Sequence, residues 1–182
     1  MNRPDLATAL RDGDLIHDRT VLRAAISRMG AEISRALEDK SAVFLTIMQG
    51  GLVFAGQLAT EIDAALEFDY VHATRFRGGT EGGTLQWLRR PSTSLSGRIV
   101  LLVDDILDEG HTLKAIRDWC LEQGAAQVLL AVLCEKRHGR TVPGLSADFV
   151  GVEVPDRYVF GYGMDYKEYL RNLPGIYAVR ED

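Results

Sequence analysis

Apolar residues recur along the chain in two rhythms. Leu22, Ile26, Met29, Ile33 and Leu37 follow Asp18 at three- and four-residue spacing, which predicts an amphipathic helix with an aspartate at its cap. Ala42 to Met48 is a short apolar run of strand character that stops at Gln49-Gly50-Gly51. Leu52 to Ile62 predicts a second helix and Leu66 to Phe76 a second strand. Arg98 to Val103 is almost purely aliphatic, as a strand covered on both faces requires. Thr112 to Gln123 predicts a helix ended by Gly124, and Gln127 to Cys134 another buried strand. Short strands are expected near Asp148 to Val154 and Val159 to Gly161, then one helical turn around Tyr166 to Arg171. Strands alternating with helices predict an α/β fold with an open, mostly parallel sheet, whose ligands sit beyond the carboxyl ends of the strands.

Gly78 to Pro91 breaks this rhythm. It holds Gly78-Gly79 and Gly82-Gly83 before the alternating Thr84-Leu85-Gln86-Trp87-Leu88, which reads as a glycine-hinged β-arm or lid. The 182 residues suit one domain, and 46% hydrophobic with 26% charged residues is a globular balance. A net charge of -5 argues against a broad nucleic-acid surface, so an anion site must be local, built from backbone amides or a bound cation. Cys120 and Cys134 fall in apolar stretches and read as reduced core residues. The opening residues have no apolar signal core and no run reaches transmembrane length, so the expectation is a cytoplasmic protein without a membrane role. Histidines 17, 72, 111 and 138 match no zinc spacing; His111 falls in the turn described next, and the others read as surface or structural.

The densest chemistry lies in Ile99-Val100-Leu101-Leu102-Val103-Asp104-Asp105-Ile106-Leu107-Asp108-Glu109-Gly110-His111-Thr112. A buried strand meets two adjacent carboxylates, then an acidic turn with a glycine, then a helix. The first amides of a helix are unpaired and lie at its positive end, which suits a phosphate monoester. Gly110 permits close approach of the backbone, and Thr112 adds a hydroxyl donor. Asp104 and Asp105 can accept hydrogen bonds from two vicinal ribose hydroxyls or hold magnesium through water.

This string resembles the phosphoribosyl-pyrophosphate (PRPP) motif of type I phosphoribosyltransferases, and the features from about Ala42 to Pro174 are similar in order to the hypoxanthine-guanine branch. The resemblance implies a single domain over residues 1–182, with a mobile arm at about 77–91 and a small hood from the N-terminal segment and about 150–182. It implies that Asp104 and Asp105 grip the ribose and support a metal, with Asp165 supporting a second magnesium. Asp108 would sit beside purine N7 as the general base, and Asp108, Glu109, Gly110, His111 and Thr112 would wrap the 5′-phosphate. Glu109 stands where many relatives have Thr, so position 109 is expected to offer only its amide, its side chain turned to solvent. Gln49, Gly50 and Gly51 would face the pyrophosphate, with a strained peptide bond just before the first glycine, Gly50. Gln49 replaces a common Lys, so Arg75 and Arg171 are the expected cations there.

By the same resemblance, Lys136 donates to purine O6. An ammonium carries donors only, so it fits hypoxanthine or guanine and rejects the amino group of adenine. Tyr158 would stack on the base, worth about 1–3 kcal/mol, and the Val159 backbone would read its edge. Arg140 helps close this region. The implied activity is magnesium-dependent purine salvage from PRPP and a 6-oxopurine, by a homodimer or homotetramer. The alternatives are a nucleotide-sensing regulator on the same fold and an interaction domain with a vestigial loop.

Overall fold

The structure, a computed structural model, describes residues 6–75 and 85–180. In chain order the elements are α1 (Leu6–Arg11), β1 (Gly13–His17), α2 (Arg19–Ala36), β2 (Ser41–Met48), α3 (Leu52–Leu58), β3 (Ala65–Arg75), β4 (Leu85–Arg89), β5 (Ile99–Leu107), α4 (His111–Glu122), β6 (Gln127–Lys136), β7 (Phe149–Val154), β8 (Val159–Phe160) and β9 (Ile176–Val179). Six strands form a sheet in the order β4-β3-β2-β5-β6-β7. All neighbours are parallel except β4, which runs antiparallel to β3.

Both faces of this sheet are covered, which explains the unbroken aliphatic runs. On one side Phe44, Leu101, Val103, Ala131 and Leu133 meet Leu22, Ile26, Met29 and Ile33 of α2 and Phe54 and Leu58 of α3. On the other, Val43, Leu45, Leu102, Leu130 and Val132 meet Leu113, Ile116 and Cys120 of α4. Asp18 caps α2 as expected, accepting from the amides of Thr20 and Val21 at 2.8 and 2.9 Å; such a cap is worth about 1 kcal/mol.

Helix α3 carries the chain from β2 outward to β3, whereas α4 carries it from β5 the other way to β6. The strand order therefore reverses between β2 and β5, and a crevice opens beyond their carboxyl ends. A second, three-stranded sheet, β1-β9-β8, joins the N-terminal region to the last part of the chain. Arg157 ties it together by donating to Asp14 and to the Val179 carbonyl at 2.7 and 2.8 Å.

Four elements differ from expectation. Strand β5 runs on to Leu107, still paired with β6, so Asp104 and Asp105 are strand residues rather than loop residues. The α-helix after Gly51 ends at Leu58 and tightens into a 3₁₀ turn at Ala59–Glu61. No helical turn forms at 166–171: Tyr166 and Tyr169 exchange backbone hydrogen bonds of 2.8 and 3.0 Å around Lys167 and Glu168, both at positive φ, as in a type I′ hairpin turn. Residues 85–89 of the expected arm form the edge strand β4, and Trp87 packs on Trp119 with ring centroids 4.9 Å apart, so this part belongs to the core. The rest of the glycine-rich arm, residues 76–84, lies outside the described residues. Asp69 anchors the exit of β4: it accepts from the amides of Ser92 and Thr93 at 2.7 and 2.8 Å. Burial would raise its pKa, yet these amide donors hold it down at about 2.

Candidate active site

The crevice is an open cleft of about 830 Å³. It is lined by Gln49 and Gly50 after β2, by His72 and Thr74 of β3, and by Asp104, Asp105 and Asp108 at the end of β5. Thr112, Lys136, Tyr158, Val159, Met164, Asp165 and Arg171 complete the wall. Of the residues predicted from sequence, Gly51, Glu109, Gly110, His111 and Arg140 do not line it. Arg75 ends β3, and its side chain lies outside what the structure describes.

The loop after β2 lies directly on the carboxylates. A Cβ at Gly50 would stand 2.2 Å from Asp105 Oδ2, and one at Gly163 would stand 2.2 Å from the Gly50 carbonyl oxygen. Real side chains do not fit at either place, so the glycines allow two backbone layers to stack over Asp105. The Met48–Gln49 peptide bond is cis. Gly51 is buried beneath the loop, where a side chain would strike the Ile47 carbonyl.

Asp104 and Asp105 stand side by side with few partners. The Asp105 amide donates to Asp104 Oδ1 at 2.9 Å, and Asp105 is only 7% exposed. Burial, then the charge of Asp105, pushes the Asp104 carboxyl well above the usual carboxylate range, and burial also raises Asp105. The positive charge of Arg171 opposes both shifts. Such a pair favours a cation or hydroxyl donors at its open side.

Asp108 is the opposite case. Lys136 Nζ donates to its Oδ2 at 2.6 Å, and His138 Nε2 meets its Oδ1 at 2.6 Å. Burial would raise this carboxyl, but the hydrogen bonds from Lys136 and His138 outweigh it and hold the pKa below the ordinary value. His138 belongs to this site although its spacing to other histidines suggested nothing. The available signal was position: it stands two residues beyond a lysine at the end of a buried strand.

Thr112 sits in the first turn of α4, whose N-terminus has no side-chain cap. Gly110 adopts φ 80°, and a Cβ there would strike Leu145 and Leu107. The Glu109 side chain is largely in solvent, 3.6 Å from His111 Nε2, while its carbonyl accepts from the Val142 amide at 2.9 Å. Tyr158 is half-exposed and donates its hydroxyl to the Asp165 carbonyl at 3.1 Å. Val159 is buried in β8 beside Ala178. Arg140 is bound at 2.8 and 2.7 Å by both carboxylate oxygens of Asp156, bridging the loops after β6 and β7.

Asp165 lines the same cleft and has partners of its own there. It binds Arg171 at 3.0 Å and accepts from the Glu168 amide at 2.9 Å. Arg171 also donates to the Gly163 carbonyl at 2.7 Å. Among the described residues no three His, Cys, Asp or Glu side chains are grouped to hold a metal. Asp104, Asp105 and Asp165 are therefore not grouped as one set of protein ligands. Magnesium typically takes one or two carboxylates, several waters and substrate phosphates, and the cation-poor Asp104–Asp105 pair fits that donor set. No helix among the described residues is long and apolar enough to cross a membrane.

Residues 13–168 match the phosphoribosyl transferase domain family. The chain is 35% identical to the hypoxanthine-guanine phosphoribosyltransferase of Streptococcus pneumoniae over 167 residues, 91% of each protein. A hypoxanthine phosphoribosyltransferase from Staphylococcus aureus superposes with TM-score 0.89 at 27% identity, covering 98% of this chain and 97% of that one. A hypoxanthine-guanine phosphoribosyltransferase from Bacillus anthracis gives TM-score 0.84 at 27% identity, over 92% and 98%. On its own sequence and on its fold, this chain belongs to the phosphoribosyl transferase domain family.

Proposed function

We propose that the protein transfers the 5-phosphoribosyl group of PRPP to N9 of hypoxanthine or guanine, releasing pyrophosphate and forming IMP or GMP in purine salvage. The observation that carries this reading is the co-lining of one cleft by two unlike carboxylate sites, the Asp104–Asp105 pair and the Asp108–Lys136 pair. The names of its relatives support the same reaction.

Asp104 and Asp105 accept the two ribose hydroxyls. The amides from Asp108 to Thr112 and the Thr112 hydroxyl hold the 5′-phosphate at the uncapped start of α4. Gln49 and Gly50 present backbone to the pyrophosphate, with Arg171 of the same cleft and, from its sequence position, Arg75 as the cations. Asp104 and Asp105 would hold magnesium through water, with Asp165 supporting a second ion, and the bound metal would neutralise the charge of the leaving pyrophosphate.

Lys136 donates to purine O6, Tyr158 covers the ring face and the Val159 backbone reads its edge. As the C1–O bond to pyrophosphate breaks and the N9–C1 bond forms, positive charge on the ribose is favoured by the carboxylates beside it. Asp108 accepts the proton that leaves the purine at N7. The exposed Phe68 and Tyr70 of β3 are surface that a homodimer or homotetramer would cover.

The test is a spectrophotometric assay with PRPP, magnesium and each common nucleobase, hypoxanthine and xanthine included. Nucleotide formation from hypoxanthine or guanine, with adenine unused, is the expected result. Absence of turnover with every 6-oxopurine would refute the reading.

A further inference from the structure

Asp108 is held at both oxygens, but its two partners differ in kind. Lys136 lines the cleft, so an arriving base can draw its ammonium away from Oδ2. His138 does not line the cleft. Its side chain is 2% exposed, against 41% for that of Asp108, so it grips the carboxylate from the sealed side.

The ring is itself fixed. The Arg140 amide donates to His138 Nδ1 at 3.0 Å, which makes Nδ1 the acceptor and leaves the proton on Nε2, pointed at Asp108 Oδ1. The loop carrying it is pinned at both ends. The Arg137 amide donates to the Val154 carbonyl at 2.9 Å, and the Arg140 guanidinium clasps Asp156. A line of hydrogen bonds thus runs from the loop after β7, through Arg140 and His138, to the carboxylate in the cleft.

We propose that His138 is a positioning residue for Asp108: it holds Oδ1 so that Oδ2 faces the purine N–H when Lys136 turns to O6. This rests on the reaction proposed above. Without His138, the carboxylate would keep no fixed partner at the moment its first one is taken by the base. It would then rotate among orientations of which few accept the purine proton. His138 acts through Asp108 and touches no substrate.

The experiment is steady-state kinetics on the full chain with PRPP, magnesium and hypoxanthine or guanine, comparing wild type with His138→Leu and His138→Gln. Leucine keeps the volume without a donor, and glutamine keeps an amide N–H near the position of Nε2. The Leu variant should lose roughly tenfold to a hundredfold in kcat, the cost of a misplaced catalytic group. Its KM for PRPP should stay unchanged, and Gln should restore most of the loss.

Asp108→Asn supplies the second arm. In that background His138→Leu should cost nothing further, because residues acting as one unit are not additive. Should the Leu variant fail to fold, His138→Ala takes its place in the same cycle. Full activity of the donor-free variant would overturn the proposal, as would an undiminished loss in the Asp108→Asn background or a Gln variant as impaired as Leu. A wild type without turnover defeats the proposed reaction instead, so the two failures are distinct.

Discussion

Two acidic sites stand three residues apart at the end of β5, and they have opposite electrostatics. Asp104 and Asp105 are buried against each other under the Gly50 loop, with no ion pair to either among the described residues, and burial drives both carboxyls upward. Asp108 is more open, yet two donors at 2.6 Å hold it ionised and below the usual range. The first site is short of positive charge among the described residues, and in the proposed reaction ligand and metal would supply it. The second already has its positive charge, in the form of a lysine that the substrate can draw away. In the proposed reaction one strand end would therefore serve both substrates, the ribose side by deficit and the base side by exchange.

The sharpest way to break this contrast is Asp105→Asn. If the pair is a strained functional site, the variant should lose on the order of 10²–10³ in kcat/KM, as when a preorganised electrostatic group is removed. It should also be more stable than wild type, with a melting temperature higher by roughly 2–4 °C, about 1 kcal/mol for a chain of this size. The sign of the pH effect follows from the raised carboxyls. A group whose folded pKa lies above its unfolded value costs stability as pH rises from the unfolded value through the folded one. The advantage of the variant should thus vanish near about pH 3, where both states are protonated, and open as the pH rises. Thermal melts across pH check this, and a variant less stable at neutral pH would overturn the idea of a deficit.

Lys136→Met tests the other half. Loss of a hydrogen bond to a charged group costs about 1.5–3 kcal/mol, so kcat/KM for hypoxanthine and guanine should fall roughly tenfold to a hundredfold. The preference for them over adenine should narrow, because the donor that disfavours the adenine amino group is gone. The pH effect here has the opposite sign. A carboxyl held low contributes stability that is present above its unfolded value and lost as pH falls through the folded one. Lys136→Met removes part of that contribution, so its stability deficit should be largest above about pH 4 and close below it. Unchanged base preference would refute the O6 role of Lys136.

The same contrast shows what the sequence made legible. The alternation of apolar runs was enough for the parallel sheet, because both of its faces are buried and each strand reads as continuous aliphatic residues. Asp104, Asp105, Asp108 and Thr112 could be read as cleft residues because a strand, a turn and a helix follow one another there, although Glu109, Gly110 and His111 between them do not line the cleft. Pairings between distant segments were not legible. His138 reaches Asp108 across 30 positions, and Arg140 finds Asp156 through a loop. The stacking of Gly50 and Gly163 over Asp105 joins three separate segments. The turn at Tyr166 to Tyr169 was mistaken for helix because its residues lack the Asn-Gly signature, and left-handed φ values at Lys167 and Glu168 are imposed by the surrounding fold. Strands β1 and β9 are short and pair with each other across nearly the whole chain length, so neither carries a local period.

Glu109 gives the smallest expected effect and sets a limit on the comparison. It is a third carboxylate in the same turn, beside the amides that would hold a phosphate, and a charge there should repel PRPP if it faced the ligand. Its side chain is instead 54% exposed and leans on His111 at 3.6 Å, while its carbonyl is tied to the Val142 amide. The backbone geometry at 109 therefore does not depend on the side chain, and the charge lies in solvent. Exposed charge interactions are worth about 0–1 kcal/mol, so Glu109→Thr should change the KM for PRPP by about threefold or less. Ionic strength separates this from a direct contact: the difference between variant and wild type should shrink further in about 0.5 M salt, where exposed charges are screened within a few ångströms. An order-of-magnitude tightening that persisted in salt would mean that Glu109 turns toward the phosphate, and the turn would then hold two carboxylates waiting for a cation rather than one site of each kind.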